Sequence, residues 1–124
     1  MGARKFSDLA AWQLANELKR AVYALVDSGT ASRDYAFRDQ IRTAAASAPA
    51  NIAEGFARFH HADFARFLRI ALGSLDELDN HLHDGIDRKH WNQPAIEPLL
   101  TLKRRSAAAI TGLIRYLRTS GPPT

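Results

Sequence analysis

The chain has 124 residues, an apolar fraction of 46% and no cysteine, which suits one domain with its own core. It excludes disulfides, thiolate-held metal and a cysteine nucleophile, and it fits a reducing compartment. Lys and Arg outnumber Asp and Glu 17 to 13, for a formal net charge of +4, a balance that leans toward polyanionic partners.

The first segment is expected to start its helix at Ser7, whose hydroxyl suits an N-cap, with Asp8 at the positive end of the helix dipole. Its apolar stripe is Leu9, Trp12, Ala15, Leu18, Val22 and Leu25, and Asp27-Ser28-Gly29 supplies a stop. After a short loop reaching Ser32, the second stripe is Phe37, Ile41, Ala45, Ala48, Ile52 and Phe56. Much of it is alanine, which lets helices approach closely. Gly55 and Arg58-Phe59-His60-His61 read as its end, with His60-His61 as loop surface, and Asp63 suits the next first turn.

The third stripe is the strongest: Phe64, Phe67, Leu68, Ala71, Leu75, Leu78 and Leu82. Gly73 in its middle implies a close approach, because glycine there costs about 1 kcal/mol against alanine. His90-Trp91 reads as the start of a loop. Asn92 then suits a cap, and the fourth stripe is Ile96, Leu100, Ala107, Ile110, Ile114 and Leu117 before Gly121-Pro122-Pro123 ends the helix. The reading is all-α, with helices at about 8–27, 33–57, 62–88 and 93–119 in one domain spanning 1–124. Short connections favour an antiparallel up-down-up-down four-helix bundle. No apolar run approaches the roughly 20 residues a membrane span needs, and Met1-Gly2-Ala3-Arg4-Lys5 lacks a leader pattern. A cytoplasmic protein without membrane contact is expected.

Pro49 stands well inside the second helical pattern. It removes the amide that would bond the Ala45 carbonyl, at about 3 kcal/mol unless compensated, so a kink is expected near Ala45–Pro49. Ser47, Asn51 and Glu54 lie on one face beside it, placed to satisfy the freed carbonyl or bond a neighbouring helix.

The run Gln40-Ile41-Arg42-Thr43-Ala44-Ala45-Ala46-Ser47-Ala48-Pro49-Ala50-Asn51-Ile52-Ala53-Glu54-Gly55 resembles the S23-like family of four-helix-bundle proteins encoded in intervening sequences of bacterial 23S ribosomal RNA genes. Phe6-Ser7-Asp8-Leu9, Trp12-Gln13, Val22-Tyr23, Phe67-Leu68, Ala71-Leu72-Gly73-Ser74-Leu75 and Glu77-Leu78 agree with it. Thr43, where the family usually has a second arginine, and Ala48, where it usually has isoleucine, depart from it. The resemblance implies a homo-oligomer, a pentamer of bundles around a central channel, with no established enzymatic activity. The accessory proteins of diversity-generating retroelements are similar in architecture and bind nucleic acid.

Catalytic patterns are missing. A di-iron bundle site needs Glu-x-x-His pairs, and none occurs; Glu77 with His81, and His83, Asp87 and His90, are the nearest approach to a zinc or nickel spacing. No arginine precedes a histidine at the Arg-x4-6-His spacing of helical ribonucleases, and no phosphate-cradling glycine loop is present. No metal, cofactor or enzymatic activity is expected.

Basic residues gather as Arg38 with Arg42, as Arg58 with Arg66 and Arg69, and on the last helix as Lys103-Arg104-Arg105, Arg115 and Arg118. Solvated charges paired with Asp39, Asp63 or Glu97 are one account of them; phosphate contact with RNA or DNA is the other, expected at Arg58, Arg66 and Arg69 with Arg38 and Arg42 rather than on Lys103-Arg104-Arg105, whose adjacent side chains point about 100° apart. Two readings follow: a nucleic-acid-binding oligomer, or a structural or protein-partner scaffold.

Overall fold

A computed structural model describes residues 2–119. Four helices, α1 (Ala10–Val26), α2 (Tyr35–Phe56), α3 (His61–Asp87) and α4 (Gln93–Thr119), account for most of them. Short 3-10 turns cover Phe6–Asp8 and Gly29–Arg33. Each helix packs against its neighbours in the chain, and α1 closes on α4. The expected stop at Gly121-Pro122-Pro123 lies outside the described residues.

The polar start signal was misplaced by two residues. Asp8 does not lead α1. Its carboxylate accepts the Arg4 and Lys5 amides at 3.0 and 3.3 Å and closes the first 3-10 turn. Ser7 therefore caps nothing, Leu9 is extended at φ −75° and ψ 128°, and α1 begins at Ala10. The stop after Val26 holds, with Gly29 at φ +62°, the left-handed region that favours glycine. The loop expected as far as Ser32 is a second 3-10 turn, and α2 starts at Tyr35. α2 runs unbroken past Pro49. Asn92 caps α4 as expected, its side-chain oxygen accepting the Ala95 amide at 3.3 Å, and Pro98 is carried inside that helix.

The stripes meet in one core of residues such as Leu18, Val22, Ile41, Ile52, Leu68, Leu78, Leu82, Ile96 and Ile110. Helix 4 holds one register surprise: Ser106 is fully buried between Leu100 and Ile110, and the expected Ala107 is only half-buried. A step of six to seven residues admits either position, and side-chain chemistry pointed to the wrong one.

Two glycines set how closely elements approach. A Cβ on Gly55 would lie 2.9 Å from both Phe64 Cδ1 and Phe67 Cβ, so this residue allows a close approach of α2 and α3 and is not simply a helix terminator. Gly85 lies under the Trp91 indole, which donates to the Leu82 carbonyl at 2.8 Å. His90-Trp91 is thus no solvated loop start. At Gly73 a Cβ would meet nothing within 4 Å, so no intrachain crossing explains that glycine.

Contacts sort the bundle into two ends. At one, Asp27 reaches Arg42, and Thr30 and Asp34 reach His90 across the α3–α4 link. At the other, Ala3, Phe56, Phe59, Phe64 and Tyr116 line one groove. Both sets are the contacts of antiparallel neighbours.

Candidate nucleic-acid interface

The polar face beside Pro49 divides in two. The Asn51 amide donates to the Ser47 carbonyl at 2.9 Å and to Ser47 Oγ at 3.0 Å. Ser47 and Ser74 hydroxyls are 2.7 Å apart, and Ser74 donates to the Ile70 carbonyl at 3.1 Å. Either hydroxyl can supply the proton between Ser47 and Ser74, and the bonds together link α2 to α3. Asn51 therefore bonds the Ser47 carbonyl instead of the freed Ala45 carbonyl, and the cluster fastens two helices. Glu54 stands outside it, exposed and paired with Arg58 at 3.2 Å. Asn51→Ala is expected to lower unfolding stability by about 1 kcal/mol, whereas Glu54→Ala should change it by less than about 0.5 kcal/mol. Denaturant melts of both variants measure this, and equal losses would contradict the division.

The five arginines named as phosphate contacts do not share one surface. Arg42 sits 4.1 Å over the Tyr23 ring with its guanidinium 3.0 Å from Asp27, so it joins α1 to α2. Arg38 donates to the Ser32 carbonyl at 3.3 Å. Both belong to the Asp27 end of the bundle. Thr43, next to Arg42, is exposed, and Ala48 is buried.

Arg58, Arg66 and Arg69 lie at the opposite end. The turn of residues 57–60 brings Arg58 to 4.7 Å from the Phe67 ring, and Arg66 lies 4.6 Å from the same ring. Phe67 is placed by its contact with Gly55, so one close helix approach positions two cations. Their acidic partners are exposed pairs, Arg58 with Glu54 at 3.2 Å and Arg66 with Asp63 at 3.9 Å. Pairs of that kind contribute about 0–1 kcal/mol and yield readily to a phosphate.

Arg69 turns toward α4. It shares a groove of about 250 Å³ with Arg118, over a floor of Ala65, Ile114 and Leu117, with His61 at the rim. Neither arginine has an acidic partner among the described residues. His61 is the first residue of α3, a correction to its reading as loop surface. Of the helix 4 cations, Lys103 is taken out of contention: it bridges Asp76 at 3.0 Å and Asp79 at 3.2 Å on α3. Burial pulls its pKa down, but the hydrogen bonds it donates to those carboxylates, with their charge, outweigh burial and hold it above the usual lysine value.

The histidines expected as loose polar surface are engaged. His90 lies 2.8 Å from Asp34 Oδ2 through Nε2 and 2.8 Å from the Thr30 hydroxyl through Nδ1. Asp34 also takes Arg88 at 3.1 Å. The His90 hydrogen bond is the largest influence and lowers the Asp34 pKa; burial opposes it, and the Arg88 hydrogen bond and charge add to the lowering, so the carboxyl stays below its ordinary value. This clamp escaped sequence reading because its members are 54 to 60 residues apart; Asp34 read only as part of the first turn of the second helix. His83 pairs with Asp79, His81 Nε2 lies 3.5 Å from Glu77 without a hydrogen bond, and His83, Asp87 and His90 are not brought together. Among the described residues no group of three or more His, Asp or Glu side chains is placed to hold a metal ion, and no helix is long and apolar enough to cross a membrane.

No curated protein matches the chain. The family model for the 23S rRNA-intervening sequence protein matches residues 7–112, which span α1, α2, α3 and most of α4 together with Arg58, Arg66 and Arg69. With four helices, no strand among the described residues and a match over most of its length, the chain belongs to the 23S rRNA-intervening sequence protein family.

Proposed function

We propose that the chain is a non-enzymatic homo-oligomer, a pentamer as the family resemblance implies, that binds nucleic acid at the end of the bundle where Arg58, Arg66, Arg69 and Arg118 lie. The observation that carries this reading is the groove in which Arg69 and Arg118, from two different helices, stand together without carboxylate partners among the described residues. Cations left unneutralised side by side repel one another, and a phosphate relieves that repulsion while releasing its counterions. Contacts of this kind carry no base information, so binding is weakly sequence-selective.

Assembly has its own surface. Leu9, Ala10, Ala11, Ala109, Leu113 and Tyr116 line a groove between α1 and α4 that contains no charged side chain. A second copy covers it in this reading, leaving the arginine groove open. The same groove supports the alternative of a scaffold that holds a protein partner and no nucleic acid.

The test is binding of single-stranded RNA and duplex DNA over a salt series, with light scattering for mass. Affinity is expected to fall steeply with salt, by about 0.7 log units per log unit of salt for each single-strand phosphate neutralised. The double variant Arg69→Gln, Arg118→Gln should lose most of the low-salt affinity, and Lys103→Gln should lose little. Absence of binding at low salt leaves the scaffold reading. A mass equal to one chain removes the assembly.

A further inference from the structure

Phe59 is 87% exposed at the tip of the α2–α3 turn. Burying a phenylalanine side chain is worth about 1.5–3 kcal/mol, and among the described residues no other large apolar side chain is as exposed, Tyr35 following at 67%. Phe64 lies in the core and Trp12 packs against it. The ring is flanked by Arg58 and by His60, whose imidazole lies edge-on at 5.5 Å. It also borders a groove of about 270 Å³ that continues, through shared His61 and Leu117, into the groove of Arg69 and Arg118.

From this juxtaposition we infer that the site takes a single strand, with a base stacked on the Phe59 ring and the flanking phosphates on Arg58 and in the Arg69–Arg118 groove. This rests on the reading that this end meets phosphates. Only a single strand offers base faces to an exposed ring, because in a duplex they are stacked on one another, and aromatic stacking beside a cationic track is how sequence-tolerant single-strand binders work. A second copy is the poorer occupant. A copy seated on Phe59 would have to cover the Arg58 cation beside the ring, whereas the α1–α4 groove offers an apolar contact without charge.

The test compares the parent with Phe59→Leu and Phe59→Trp against two probes, a short labelled single-stranded oligoadenylate and an RNA duplex of matched length. Melting curves of the variants should coincide with the parent, since the ring is outside the core. Phe59→Leu is expected to weaken the single strand about tenfold, Phe59→Trp to retain or tighten it, and neither to change the duplex. If the parent binds neither probe, the functional reading falls and the inference with it. If the parent binds both and Phe59→Leu leaves the single strand unchanged, or weakens both probes equally, stacking is overturned while the phosphate reading stands. A change of oligomer mass in Phe59→Leu also overturns it, by placing the ring between copies.

Discussion

Gly85→Ala is expected to destabilise the protein by roughly 3 kcal/mol, a fall in melting temperature on the order of 10 °C for a domain of this size. The added Cβ would overlap Trp91 Cζ2 and Cε2 and lie 2.6 Å from Nε1. An indole edge cannot bend aside, so the ring must leave its seat. With it goes the bond to the Leu82 carbonyl and the contact with Phe37, whose centroid is 5.7 Å away. Helix propensity works the other way by about 1 kcal/mol, too little to compensate. The same substitution at Gly73, where the Cβ meets nothing, keeps only the propensity gain, so the two variants should move in opposite directions. A Gly85→Ala protein melting at or above the parent would show that Trp91 is not held where it is described.

Phe37→Ala should cost about 3–5 kcal/mol, the range for emptying a buried aromatic site. Phe37 is 2% exposed, and three rings surround it: His90 at 5.2 Å, Trp91 at 5.7 Å and His81 at 6.5 Å. The Arg88 guanidinium lies 5.0 Å from its centroid. These partners come from the end of α3 and the α3–α4 link, so truncation unseats the surface on which His90 meets Asp34 and Thr30. Equilibrium denaturation measures the loss, and a value under about 1 kcal/mol would mean that the site collapses around the void. Combined with Gly85→Ala the loss should be less than additive, because both changes release the same indole.

Apolar periodicity is enough to find all four helices and nearly all of the core, because a stripe that must be buried repeats every three or four residues whatever the helices pack against. Helix starts are less legible. Ser7-Asp8 and Asp34 both carry start chemistry, yet one carboxylate closes a 3-10 turn and the other is drawn to His90 and Arg88. Local propensity cannot anticipate a partner so far along the chain. The same holds at the candidate site. Convergence of Arg58 with Arg66 is readable from a short turn, but Arg69 turns away to meet Arg118, a contact set by how α3 packs on α4. Glycine is the hardest residue to read: Gly55 and Gly85 admit rings, and Gly73 admits nothing within the chain.

The placement of the two tryptophans gives the bundle an intrinsic optical signal at each end. Trp12 stands edge-on to Phe6 at 5.2 Å near the start of α1, and Trp91 closes over α3 at the far end. Replacing either indole by phenylalanine leaves a single tryptophan, which can be excited apart from the three tyrosines. The emission of the remaining one then follows whether the arginine-bearing end and the Asp34–His90 end come apart in one step or in two.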